Sequence, residues 1–248
     1  MKILFDSDEY TDPGSREENE DVWLIAQDDD CGILALVSDG LGSHGGGKQA
    51  SEAAKDALYR CFQESRITEP EELNVWFQEA NQRVLSIQTE EIKMKTTLVA
   101  LLISEGMAYW AHVGDSRLYH FKDGKLVFQT FDHSVSQMAV LRGEISQEDI
   151  RGHVDRNRLI RALGKSDTIK IDVSEKEDLS DGNHAFLLCT DGFWEYVTEA
   201  EMEEDLNKCN SASDWLKHMK LRLDNRTAGS SHDNNTAITL TYRIASDM

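Results

Sequence analysis

Short apolar runs and stretches with apolar positions every three or four residues divide the chain between them. VWLIAQ (22–27) and ILALVS (33–38) flank the acidic turn DDDCG and predict a pair of strands. From about Gly47 the period lengthens. Ala50, Ala53, Ala54, Ala57, Leu58, Cys61 and Phe62 fall on one helical face. A second helix is predicted after Thr68-Glu69-Pro70-Glu71, a capping-box pattern, with Leu73, Trp76, Phe77, Ala80, Val84 and Ile87 on its apolar side. Strand patterns return at 96–104, 107–113, 117–122 and 126–130, separated by EG, GDS and DG turns. Residues 133–165 are polar and helix-forming with weak strand signals. A strand is predicted at 184–190, helices near 199–208 and 212–224, and a closing strand at 235–244. Strands in consecutive groups, broken by two helix pairs, predict antiparallel sheets with helices outside them. With only Pro13 and Pro70, no evident repeat and no low-complexity linker, one domain over 1–248 is expected.

Composition narrows the function. Twenty-six Lys and Arg against 46 Asp and Glu leave a net charge of −20. That argues against sequence-independent nucleic-acid binding and against anionic membranes, both of which need basic surface. The N-terminus has too few apolar residues for a signal peptide, and no run approaches the roughly 18 of a membrane span. Cys31, Cys61, Cys189 and Cys209 are widely spaced and form no C-x-x-C pair, so free thiols and a cytoplasmic location are expected.

Gly42 to Gln49, GSHGGGKQ, has the outline of a phosphate-binding P-loop, but Gln49 stands where the metal-binding Ser or Thr belongs. No cysteine has an Arg six positions on, which excludes cysteine-dependent phosphatase chemistry. Adjacent Asp132, His133 and Ser134 cannot supply triad geometry. The more productive pattern is aspartate at strand ends: Asp39 after ILALVS, Asp191 after FLLCT and Asp233 before NTAITL. Gly40 and Gly192 follow the first two and allow a sharp turn. Carboxylates held this way suit hard cations such as Mg2+ and Mn2+. Arg16, Glu20 and Asp21 precede the strand at 22, and Asp115 sits in the GDS turn; Arg16 has the planar fork that clamps phosphate.

GSREENED, SDGLGSHGGGKQAS, KTTLVA, HVGDSRLY, DRNRLIRALG, LCTDGFW and SHDNNTAI together resemble, in order and spacing, the metal-dependent protein phosphatases of the 2C family, above all bacterial single-domain members. The likeness runs from about Gly14 to Leu240. It implies an α+β fold of four layers, αββα, with a central antiparallel β-sandwich flanked by pairs of helices. It further implies a protein serine/threonine phosphatase using two Mn2+ or Mg2+ ions and, at a weaker site, a third. By match to the family motifs, Asp39 would bridge both metals and the Gly40 carbonyl would bind one. Asp191 and Asp233 would complete the other, and Asp115 would serve the third. Asp21, with Glu20 and Asn234, would support metal-bound water. Arg16 would anchor the phosphoryl group, so that Arg16, Asp21 and Asp39 carry the chemistry. Residues 133–165 would form a flap beside the site.

Phosphorylated proteins are the implied substrates, a Ser/Thr kinase the implied counterpart, and a monomer the expected state. Alternative expectations are an inactive phosphoprotein-binding member and a phosphatase of an anti-sigma-factor antagonist. Some members carry a histidine directly after the first DG, as proton donor to the leaving alcohol. Here Leu41 stands there, and His44 is the nearest histidine.

Overall fold

The computed structural model describes residues 2–42 and 46–245. Two antiparallel sheets lie face to face. The first has the order β1 (Lys2–Asp12), β13 (Asn235–Ala245), β12 (Asn183–Cys189), β8 (Arg117–Lys122) and β9 (Lys125–Gln129). In the second, the order is β10 (Asp172–Val173), β7 (Met107–Val113), β6 (Leu98–Ser104), β3 (Gly32–Ser38) and β2 (Val22–Asp28), with β11 (Glu177–Asp178) also on β7. Two short strands, β4 (Gly40–Leu41) and β5 (Lys95–Thr96), pair beside the second sheet.

Burial on both faces explains why the strands read as unbroken apolar runs. In β3, Ile33, Ala35 and Val37 meet Phe186, Leu188, Ile238 and Leu240 between the sheets. Leu34 and Leu36 point the other way, into α1 (Gly46–Glu64) and α2 (Glu71–Ser86). The first sheet buries its own outer face, with Phe121, Leu187 and Cys189, against α4 (Asp191–Trp194), α5 (Glu199–Leu206) and α6 (Ala212–Thr227). Each fully buried Leu or Phe contributes about 1.5–3 kcal/mol through area removed from water. Four layers result, as expected.

Several local details differ from the sequence reading. β1 was not foreseen: Asp6, Asp8, Glu9 and Asp12 interrupt its apolar pattern, yet all 11 of its residues pair with β13. As an edge strand it tolerates charge, and Asp6 caps α6 by accepting from the Ala212 amide at 2.8 Å. The box before α2 uses Glu72 rather than Glu71: its Oε1 accepts from the amides of Thr68 and Glu69. The strand expected at 96–104 divides around Thr97 into β5 and β6, and α6 continues past residue 224 to Thr227. Asp123 and Gly124 both have positive φ, 50° and 76°, which makes that DG a hairpin turn. The segment 133–165 contains α3 (Val135–Leu141) and a 3-10 turn over Glu148–Gly152. All four cysteines are free; Cys189 is buried and Cys61 half-buried. No helix among the described residues is long and apolar enough to cross a membrane.

Candidate metal and phosphate site

Strand register gathers the candidate acids at one end of the sandwich. Val22 lies opposite Ser38, so Asp21 and Asp39, each one residue beyond, leave the second sheet together. Cys189 lies opposite both Arg117 and Ala237. Asp191 and Asp115 therefore stand two residues past that rung on neighbouring strands, with Asp233 just before β13. A cleft of about 430 Å3 collects Arg16, Glu20, Asp39, Gly40, Asp115, Asp191, Asp233 and Asn234, and Asn157 and Leu159 of the 133–165 segment complete its wall.

Threonines and glycines fix the acids. Asp39 is held through its backbone: its amide donates to Thr97 Oγ1 at 2.9 Å, and its carbonyl accepts from Thr96 Oγ1 at 2.7 Å and from the Thr97 amide at 2.9 Å. Asp21 is 3 % exposed; Thr190 Oγ1 donates to its Oδ2 at 2.8 Å, and its Oδ1 has no partner. A Cβ on Gly192 would stand 2.0 Å from the Asn234 carbonyl, so only glycine lets the Asp191 turn close on the Asp233 loop. Sequence reading assigned no role to Thr96, Thr97 or Thr190. The available signal was a pair of threonines opening an apolar strand, and another closing one immediately before an Asp-Gly.

Glu20 and Asn234 hold the backbone around the cleft. Glu20 accepts from the amides of Gly47 and Lys48 at the start of α1. The carboxylate thus occupies the helix N-terminus where a P-loop would hold phosphate. Lys48 spends its ammonium on the Asp21 carbonyl at 3.0 Å. Gly47 permits this close packing, since a Cβ there would meet Glu20 Oε1 at 2.5 Å. Asn234 staples the 13–20 loop, accepting from the Glu20 amide and donating to the carbonyls of Pro13 and Glu18. That loop carries Arg16, whose Nη2 donates to Asp233 Oδ2 at 2.7 Å at the exposed mouth. His44 lies outside the described residues, and Leu41 lines the cleft.

Electrostatics sets this cluster apart. Burial, then repulsion from Asp21, Asp191, Asp115 and Asp233, holds the Asp39 carboxyl well above the usual carboxylate range. Asp191 is raised likewise by burial and by Asp115, Glu195, Asp233 and Asp21. Burial pushes Asp115 up to about 7, with Asp132 adding to it. It pushes Asp21 to about 6 against the opposing hydrogen bonds from Thr236 and Thr190. Crowded acids with an orphaned buried oxygen are a donor set that hard divalent cations satisfy.

Two other places compare poorly. A larger groove of about 770 Å3 at the far end of the first sheet has Asp6 and Asp123 as its acids, and both already bind backbone amides. His112, His133 and Asp172 bring potential ligand atoms within 4.8 Å of one another. There Arg161 already donates to Asp172 at 2.7 Å and stands 3.0 Å from His133 Nε2, so a guanidinium fills the place of a cation.

Comparison with known proteins places the chain in a family. The family model "Protein phosphatase 2C" matches residues 14–231. A serine/threonine phosphatase, Stp, of Listeria innocua is 35 % identical over 213 residues, covering 82 % of this chain and 84 % of its own. Among solved structures, the Ser-Thr phosphatase MsPP of Mycobacterium smegmatis, in complex with cacodylate, is 30 % identical with a TM-score of 0.79, covering 96 % of this chain and 98 % of its own. The catalytic domain of the phosphatase PstP, in complex with two manganese ions, is 25 % identical with a TM-score of 0.80, covering 98 % of this chain and all of its own. The chain belongs to the protein phosphatase 2C family.

Proposed function

We propose that this chain hydrolyses phosphoserine and phosphothreonine in proteins, in the cytoplasm, and so reverses the work of a Ser/Thr kinase. The observation that carries the reading is the crowding of half-buried Asp39 and Asp191 with buried Asp115 and Asp21, and Arg16 on Asp233 at the mouth of the cleft. The manganese of PstP and the cacodylate of MsPP support it. Asp39, the Gly40 carbonyl, Asp191 and Asp233 would hold two Mn2+ or Mg2+ ions, and Asp115 a third. Such ions supply an activated water near neutral pH and offset charge on the phosphoryl oxygens.

The chain's own groups do the rest. Thr96 and Thr97 fix Asp39 through its backbone, so its carboxylate needs little reorganisation. Asp21, beside Asp39, has a buried unpartnered oxygen that could accept a hydrogen bond from a water held there. Arg16 sits on the loop that Asn234 staples, and a cation on Asp233 would release its guanidinium for two phosphoryl oxygens.

The test is phosphate release from a phosphothreonine peptide with Mn2+, Mg2+ or EDTA, with Asp191→Ala beside wild type. Metal-dependent turnover that the substitution abolishes is expected. Folded wild-type protein without turnover in either metal would overturn the reading.

A further inference from the structure

Trp194 joins two of the acid-bearing turns, and nothing in the chemistry above uses it. Helix α4 is one turn long, beginning at Asp191 and ending at Trp194, so these residues share one rigid unit. The Trp194 side chain is buried, and its Nε1 donates to the main-chain oxygen of Asp115 at 2.9 Å. One ring face carries the Arg117 guanidinium 3.5 Å from its centroid. Asp132 locks that guanidinium with two bonds of 2.8 Å. The indole is thus fixed from behind and aimed at the Asp115 turn.

The same turn is held from its other side. Ser116 Oγ lies 2.6 Å from Thr97 Oγ1, the hydroxyl that accepts the Asp39 amide. Gly114, with φ of 107°, exchanges two bonds with His133: its carbonyl accepts the His133 amide at 2.8 Å and its amide donates to Nδ1 at 3.2 Å. A continuous path of hydrogen bonds and chain therefore runs Asp39, Thr97, Ser116, Asp115, Trp194, Asp191. Among the described residues, the Trp194 bond is the one hydrogen bond that runs directly from the Asp191 helix to the Asp115 turn. Phe at 194 would keep the ring and the stacking but lose this bond.

We propose that Trp194 is a positioning residue whose indole N–H ties the Asp115 turn to the Asp191 helix, so that the two carboxylates serve one divalent cation together. The proposal rests on the metal reading above and adds to it a residue that touches no metal. Loss of the bond frees the Asp115 carbonyl and loosens the turn. It leaves Asp233 in place, and Asp39 keeps its backbone bonds to Thr96 and Thr97, which do not pass through Trp194.

The experiment is calorimetric titration of Mn2+ into metal-free wild type, Trp194→Phe, Asp115→Asn and the double variant, with melting temperatures in EDTA recorded alongside. Trp194→Phe is expected to weaken the weakest Mn2+ step about five- to tenfold, the scale of one hydrogen bond, and to leave tighter steps within about twofold. In the Asp115→Asn background the same substitution is expected to change nothing further. A Trp194→Phe isotherm matching wild type, with only the melting temperature lowered, would reduce Trp194 to packing. An undiminished effect in the Asp115→Asn background would also overturn the proposal. Wild type that takes up no Mn2+ would overturn the metal reading, and this with it. Should Trp194→Phe not fold, wild type and Asp115→Asn carry the test under Mg2+. The Trp194 indole 15N–1H resonance is expected to shift at the last Mg2+ step in wild type and stay still in Asp115→Asn; identical behaviour in both would sink the coupling.

Discussion

The molecule contains two dense groups of carboxylates with opposite electrostatics. Between α5 and α6, Glu201, Glu204 and Asp205 face Arg222 and Arg226. Arg222 binds Asp205 through two bonds of 2.7 Å and reaches Glu201 and Glu204 at 3.0 Å, while Arg226 grips Glu201 at 2.6 and 2.7 Å. The Arg226 hydrogen bonds lower Glu201 to about 2, helped by Thr198 and opposed by its own burial. Around the cleft, among the described residues, no arginine hydrogen-bonds to the carboxylates of Asp21, Asp39, Asp115 or Asp191, and each is raised. Acids for which the chain provides counter-charge hold helices together. Acids left without it await a cation from solution.

The largest effect that tests this contrast comes from Asp39→Asn. If Asp39 serves both metals as proposed, the substitution is expected to lower turnover at least about a thousandfold, or roughly 4 kcal/mol in the barrier. The same change removes one of several mutually repelling charges, so the metal-free protein should melt a few degrees higher. Phosphate release and melting in EDTA check both halves. A lower melting temperature in EDTA would mean that the cluster is not repulsive.

Acidity separates the two groups next. Burial raises Asp21 and Asp115 above their unfolded values, so the stability they confer is complete below about pH 4 and is lost as pH rises through about 6 and 7. Glu201 is depressed, so its contribution is present above about pH 4.5 and disappears as pH falls toward about 2. Metal-free protein should therefore be most stable between about pH 4 and 6. Saturating Mn2+, which binds better as protons leave, should move that maximum upward. Melting curves across pH with EDTA and with Mn2+ give the answer; coincident maxima would contradict the contrast.

How much of this the sequence revealed follows the same division. Strands buried on both faces, such as 33–38 and 184–190, announce themselves as apolar runs, and the cleft acids stand out because each abuts such a run. Edge strand β1 does not, because pairing with β13 rather than an apolar pattern holds its acidic residues in place. Glu20 illustrates a different limit: nothing near it in sequence announces that its partners are amides 27 and 28 residues on. The threonine clamps and Trp194 were illegible for the same reason, since a hydroxyl or indole acquires its role only when register delivers a partner.

Glu201→Gln tests the self-neutralised group on a smaller scale. It keeps the side chain's shape but loses the charge in the bonds to Arg226 and Arg222, so unfolding free energy at pH 7 should fall by about 1–2 kcal/mol. Turnover should remain within about twofold, because no cleft residue is touched. The loss should vanish near pH 2, where Glu201 is half-protonated in the wild type. Denaturant titrations at the two pH values measure it; an equal loss at both would assign the effect to packing rather than charge.

The smallest expected effect concerns the proton for the leaving alcohol. A true general acid contributes about a hundred- to ten-thousandfold, and its loss removes the limb of the pH–rate profile that it controls. His44 lies in a glycine-rich stretch where a lone histidine is more often solvated than catalytic, and Leu41 takes the position that carries histidine in some family members. His44→Ala is accordingly expected to cost less than about tenfold in turnover and to leave the shape of the profile unchanged. A loss beyond about a hundredfold, with the alkaline limb gone, would make His44 the donor. It would also show that the cleft carboxylates draw on a group from the α1 side of the site, which the contrast between the two acid clusters does not require.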